Sequence, residues 1–203
     1  CDHNTAENVG AAIRAGVQHG LHVFPGMEIN SSEEVHTLAI FDSEEQAVAM
    51  QEVVYRNLKG TNRPELFGDQ VIANEFDEVE GFNDRMLIGA TQLALSDIIN
   101  EVHRFGGLSI ASHVDRPSFS ILSQLGFIPP DLALDALEIS RHLDKAEARN
   151  KIPGVDDFPL VTSSDAHFIE DIGESYTSFF LALPSVNEIR MALSGKSGRS
   201  VED

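Results

Sequence analysis

Short apolar runs alternate with helix-forming segments along almost the whole chain, and reactive side chains fall where the runs end. Residues 108–111 run into Ser112-His113, and residues 160–162 run into Ser163-Ser164-Asp165-Ala166-His167. Between such runs the apolar residues recur at helical spacing. Residues 6–19 place Val9, Ala12, Ile13 and Val17 on one face, with Gly20 as a stop. Ser43 precedes Glu44, Glu45 and Gln46 and predicts a capped helix to about residue 59. Residues 96–105 form a third helix, closed by Gly106-Gly107. This alternation predicts an α/β fold with a mainly parallel sheet, either a barrel or an open doubly wound sheet. Residues 34–41 are nearly all apolar in their middle, as strands covered on both faces are.

The remaining elements follow from the same periodicities. Strands are expected at 21–24, 136–139 and 177–183, with Pro25-Gly26 as a turn after the first. Helices are expected at 119–125, 144–150 and 186–193. Residues 60–95 depart from the pattern. The first part of this stretch is polar, holds Gly60, Pro64, Gly68 and Gly81, and contains one strand-like piece at 70–73. It reads as an insertion or lid within a barrel domain spanning residues 1–193, with 194–203 as a flexible tail.

Charge and composition narrow the functional classes. With 33 acidic and 14 basic residues the formal charge is −19, which repels the backbone of long nucleic acids, so none is expected as a partner. A small anionic substrate stays compatible, because bound cations would reverse the field inside one cleft. No apolar run is long enough to span a bilayer, and no membrane partner is expected. The one cysteine, Cys1, cannot form an internal disulfide and fits a reducing compartment, so a cytoplasmic location is expected. The chain opens on Cys1 rather than Met, and a truncated or incompletely represented protein is the expectation. No Gly-rich dinucleotide fingerprint and no phosphate-loop lysine motif is present.

The candidate site residues are imidazoles and carboxylates without thiolate, a mixture suited to zinc, manganese or iron rather than to a Cys-rich structural zinc site. His3, His113 and His167 follow apolar segments, and Glu28 follows Pro25-Gly26. In a parallel barrel the C-terminal strand ends meet at one face and gather such residues. Asp165-Ala166-His167 is the sharpest local signal, since residues two apart on an extended segment point to one side. Alone, it also fits a polar loop. His36 lies inside an apolar run and is either a hydrogen-bonded core histidine or a metal ligand. Arg116, three residues after His113, is placed to clamp a phosphate or to pair with Asp115, and Arg141 is a weaker candidate for the same clamp.

Taken in order, Cys1-Asp2-His3-Asn4-Thr5, Pro25-Gly26-Met27-Glu28, Val35-His36-Thr37-Leu38-Ala39, Ala111-Ser112-His113, Leu137-Glu138-Ile139-Ser140 and Ser163-Ser164-Asp165-Ala166-His167 resemble the PHP (polymerase and histidinol phosphatase) family. The chain looks most like that family's stand-alone phosphoesterases, and the resemblance runs from Asp2 to about Leu183. It implies a distorted barrel of seven strands and up to three divalent metal ions. By analogy Glu28 bridges: Glu28, His36 and His113 would surround one ion, Glu28 and Asp165 would share a second, and His3 and His167 would serve a third. Catalytic roles fall by the same analogy to Glu28, Asp165 and His167. The family's His-x-His pair, normally on a first strand, has no counterpart in this sequence.

The implied function is hydrolysis of a phosphate ester of a small phosphorylated metabolite or nucleotide by metal-activated hydroxide. Two alternatives remain at this stage. One is an amidohydrolase-type metal hydrolase, against which stands the lack of an obvious strand-end lysine. The other is a metal-binding regulatory or accessory module without catalysis.

Overall fold

A computed structural model describes residues 1–202. In chain order it contains β1 (Asp2–His3), α1 (Val9–Gln18), β2 (Gly26–Asn30), β3 (His36–Ile40), α2 (Glu44–Asn57), α3 (Pro64–Phe67), β4 (Val71–Ala73) and β5 (Val79–Phe82). There follow α4 (Leu95–Arg104), β6 (Leu108–Ala111), α5 (Ile121–Leu125), β7 (Ala136–Ile139), α6 (Lys145–Lys151), β8 (Leu160–Thr162), β9 (Phe179–Phe180), α7 (Val186–Leu193) and β10 (Ser200–Val201). No helix among the described residues is long and apolar enough to cross a membrane.

The helices form where the sequence supplies both a cap and an apolar stripe. Ser43 accepts from the Gln46 backbone N–H while the Gln46 side chain accepts from the Ser43 N–H, a reciprocal cap that starts α2. Leu95, Ile98, Ile99 and Val102 give α4 one buried face at spacings of three and four. These stripes pack on the sheet against Met27, Ile29, Ala39, Phe41, Ala111, Leu137 and Ile139.

The main sheet has six strands in the order β1-β2-β3-β6-β7-β8. The α/β class is as expected, but the sheet is mixed rather than mainly parallel: β3 runs antiparallel to both β2 and β6, and the other pairings are parallel. The sheet is open, with β1 and β8 as its edges, so closure into the expected seven-stranded barrel is not found among the described residues. The reversal of β3 has a direct consequence. The N-terminal end of an antiparallel strand lies beside the C-terminal ends of parallel ones, so His36, the first residue of β3, reaches the edge where β6 delivers His113.

Strand alternation then divides the two faces. The register aligns His3 with Glu28, Glu28 with Leu38, Leu38 with Ile110 and Ile110 with Ala136, and Glu138 with Val161. His36 shares parity with Leu38 and lies on this same face. The helices α2, α4, α5 and α6 cover the opposite face.

Four local expectations change. Residues 21–24 form no strand; instead Pro25 leads directly into β2, and Glu28 lies in mid-strand rather than after a turn. Gly26 is required there by close approach, since a Cβ would stand 2.6 Å from Ala39 O and 2.9 Å from Cys1 Sγ. Within 60–95 the polar stretch is built as α3 and a hairpin of β4 and β5. Only Phe179–Phe180 of the expected strand 177–183 is extended and paired, and its partner is β10 in a separate two-stranded sheet. The segment expected as a flexible tail therefore holds a strand, tied down by Arg199, whose guanidinium binds the buried Glu188 carboxylate at 2.7 and 2.9 Å.

Candidate metal centre

The site is organised around one carboxylate. Glu28 projects from β2, buried, and each of its oxygens faces imidazole. Oε2 lies 3.3 Å from His3 Nδ1 and 3.4 Å from His36 Nδ1, while Oε1 lies 3.5 Å from His113 Nε2. The rings themselves are close: His3 and His36 centroids are 5.1 Å apart, and His36 and His113 centroids 5.5 Å. Phe119 stacks on His36 at 4.7 Å and fixes its ring plane. Its carbonyl also accepts the His36 N–H at 2.9 Å.

These distances are long for hydrogen bonds. They match donors that share an ion: ligands about 2.0–2.1 Å from one tetrahedral cation stand roughly 3.3–3.4 Å apart. The donor atoms of His3, Glu28 and His36 all lie within 4.8 Å of one another. His113 Nδ1 is buried without a hydrogen-bond partner, and Nε2 faces Glu28. The residues present thus fit a divalent cation. The grouping differs from the expected one. His3, Glu28 and His36 form the converging set, and His113 approaches the other Glu28 oxygen, because β1 pairs directly with β2 and sets His3 beside Glu28.

Electrostatics favour an ionised Glu28 and a neutral His3, and act in the opposite sense on His113. Burial alone would raise the Glu28 pKa, but contacts with His113 and His36 and the charge of His3 outweigh it and hold the carboxyl far below the usual carboxylate range. Burial lowers the His3 pKa against the pull of Glu28, which favours the neutral imidazole that binds metals. For His113, burial lowers the pKa, but contact with Glu28 outweighs it and the net shift is upward.

The other expected residues divide. Asp165 and His167 line the same cleft, of about 200 Å3, with His3, Glu28, His36, His113, Arg116, Ile88, Ser118 and Phe119. The His167 ring stands 6.4 Å from His3 and contacts the Asp165 carbonyl oxygen at 2.9 Å through Nδ1. Arg116 pairs with Asp165 at 2.6 Å, not with Asp115, which instead accepts from the Ser140 N–H and hydroxyl at 2.7 and 2.6 Å. Arg141 is not brought into the cleft; its guanidinium binds Asp171 at 2.9 Å on the loop after β8.

Two residues near the site had no assigned role in the sequence. Phe119 carries no local signal. Glu138 does: it is a carboxylate inside the apolar run Ala136-Leu137-Glu138-Ile139 and is buried. It accepts the His113 backbone N–H at 3.0 Å and the Ser163 hydroxyl. Burial raises its pKa, and these two bonds only partly oppose that.

Fold and cleft together define an α/β protein with a candidate His/Glu metal centre at one edge of its sheet. A family profile described as PHP-associated matches residues 156–197. Among solved structures, the lesion-specific endonuclease Q of Pyrococcus furiosus has a similar fold, with a TM-score of 0.57 and 21% identity, over 87% of this chain and 40% of that one. Endonuclease Q in complex with a 27-mer duplex bearing an abasic lesion at the active site gives a TM-score of 0.55 at 21% identity, over 86% of this chain and 40% of the other. A Bifidobacterium adolescentis protein, provisionally described as a metal-dependent phosphoesterase, gives 0.51 at 18% identity, over 86% of this chain and 79% of that one. The uncharacterized Bacillus subtilis protein YqxK is 26% identical over 106 residues, which are 50% of this chain and 27% of YqxK. The chain thus spans less than half the length of endonuclease Q and of YqxK. The resemblance to the PHP family is supported by the profile match over residues 156–197, and the solved structures show a shared fold.

The comparison corrects one expectation. Endonuclease Q, which shares this fold, binds a DNA duplex, and this conflicts with the expectation that long nucleic acid is no partner. Net charge describes the far field, whereas the cleft is a local field set by Glu28, Asp165, Arg116 and the histidines.

Proposed function

We propose that this cleft hydrolyses phosphate esters with bound divalent cations (manganese, zinc or iron), acting on a small phosphorylated metabolite or nucleotide. The observation that carries the reading is the division of the Glu28 carboxylate, one oxygen toward His3 and His36 and the other toward His113. A bridging ligand between two cations needs that arrangement. Glu28, His3, His36 and His113 would hold the metal, with Asp165 and His167 completing the cleft. When bound, the cations neutralise phosphate oxygens and acidify a water for in-line attack. By the same family resemblance, the sheet is read as part of a distorted barrel whose strand ends carry the site.

The chain's own residues supply binding and shape. Among the described residues lining the cleft, Arg116 is the one guanidinium, and its planar fork suits phosphate oxygens. Ile88 and Phe119 give the cleft apolar walls. Beyond His3 and Ile88 a second cavity of about 280 Å3, lined by residues of β1, the turn before α1 and the hairpin region, leaves room for the alcohol portion of an ester.

A second reading is endonuclease action on lesion-bearing DNA, favoured by the fold shared with endonuclease Q. One experiment separates the readings. The manganese-loaded protein is assayed on a phosphomonoester panel and on duplex DNA with an abasic site, beside Glu28→Ala and Asp165→Ala. Turnover lost in both variants supports hydrolysis at this cleft, and the substrate turned over chooses between the readings. Equal rates in all three proteins would sink the assignment, and metal binding without turnover would favour a non-catalytic module.

A further inference from the structure

Glu138 is buried, charged when ionised, and has no place among the proposed ligands. Its two oxygens face in different directions. Oε2 accepts the His113 N–H at 3.0 Å, and Oε1 accepts the Ser163 hydroxyl. Ser163 Oγ in turn accepts the Asp165 N–H at 3.3 Å. The two residues reached in this way share a backbone peculiarity. His113 has φ of 30° and Asp165 has φ of 45°, the left-handed region that side chains other than glycine's rarely adopt. Such conformations cost of order 1–3 kcal/mol and persist only where the surroundings over-determine them.

We propose that Glu138 is a positioning residue that locks both strained loops, holding His113 and Asp165 on the cleft through one carboxylate. This rests on the metal-centre reading above. The strand order explains the placement: β7 lies between β6 and β8, so a residue of β7 can touch both the loop that carries His113 and the loop that carries Asp165. Burial of an ionisable group is costly, and a leucine at 138 would pack this core at less expense. A leucine would leave the His113 N–H without an acceptor and free the Ser163 hydroxyl to turn away. Asp115, two residues past His113, repeats the device by binding Ser140, two residues past Glu138. The loop after β6 is therefore tied to β7 through Glu138 and to the loop after β7 through Asp115, and the Glu138 carboxylate reaches both the His113 N–H and, through Ser163, the Asp165 N–H.

The test uses Glu138→Ala, Glu138→Gln and Ser163→Ala, each checked for folding by circular dichroism and thermal melting. Manganese affinity is measured by calorimetry, and exchange of the His113 and Asp165 amides is measured by NMR without metal. Glu138→Ala is expected to lose protection at both amides and to bind manganese about 10–100-fold more weakly. Glu138→Gln keeps an acceptor and should recover most of both. Ser163→Ala should expose the Asp165 amide alone, and it decides the matter if Glu138→Ala does not fold. Unchanged amide protection and unchanged affinity, with only a lower melting temperature, would reduce Glu138 to core packing and overturn the proposal. If the unsubstituted protein binds no manganese while the amides still respond, the metal reading fails and the positioning role stands.

Discussion

The Arg116 guanidinium lies 2.6 Å from Asp165 Oδ2, joining the loop after β6 to the loop after β8 across the mouth of the cleft. Asp165 Oδ2 is buried, and the contact is an ion pair. Arg116 is thus held at the cleft by one nitrogen, and its other donors can face a phosphate. Replacing it by alanine should raise the KM for a phosphate ester about tenfold, the scale of one charge-assisted bond. The melting temperature should fall only modestly, since a half-exposed pair of this kind contributes about 1 kcal/mol. Arg116→Lys should recover the charge but only part of the KM. Steady-state kinetics beside a thermal melt check the split.

Glu28 is predicted to be indispensable for metal. Glu28→Gln preserves shape while removing the charge and one of the two oxygens that face imidazole. Manganese or zinc affinity should fall by more than about 100-fold, beyond the 10–100-fold typical of residues that only support a ligand. Calorimetric titration of both proteins measures this.

Acid sensitivity should arise at Asp135 as well as at Glu28 in the cleft. Burial alone would raise the Asp135 pKa, but bonds from His103, the Ser109 N–H and Arg190 prevail and hold it below the ordinary aspartate value. The distances are 2.8, 2.9 and 3.0 Å, and the partners lie on α4, β6 and α7. A carboxyl with a lowered folded pKa contributes stability that is complete above its unfolded pKa, near 4, and is lost as pH falls through the folded value. Asp135→Asn should therefore cost about 1.5–3 kcal/mol at pH 7 and flatten the fall in stability below about pH 4. Urea melts across pH 2–7 test both effects.

Gly26→Ala should destabilise the protein by about 1–3 kcal/mol, the usual range for overpacking. The new methyl would stand 2.6 Å from the Ala39 carbonyl oxygen, a backbone atom that cannot turn aside. The strain falls two residues from Glu28 on the same strand, so metal affinity should drop with stability. Chemical denaturation and metal titration follow the two effects.

Much of this was legible in the residues. Periodicity gave β6, β7, β8 and α7 their bounds, because each is a short apolar run or an amphipathic turn flanked by clear stops. Six residues proposed for the site, His3, Glu28, His36, His113, Asp165 and His167, do line one cleft. Strand direction was not legible. Nothing local in Val35-His36-Thr37-Leu38 says that β3 runs antiparallel, and that direction is what brings His36 to the strand ends. Pro25-Gly26 was misread because a glycine needed for close approach looks in sequence like a glycine needed for a turn. The pairing of β10 with β9 was missed because two-residue strands carry too little pattern to detect. Glu138 left a signal, a carboxylate in an apolar strand, whose meaning needed the three-dimensional neighbours His113 and Ser163.

The central claim is that Glu28 and its imidazoles hold a metal ion. The most direct measurement is an anomalous difference map from crystals grown with manganese. A peak within bonding distance of His3, Glu28 and His36, with a second beside His113 across the same carboxylate, is the predicted result. A cleft without anomalous density, or manganese bound only elsewhere on the acidic surface, would contradict it.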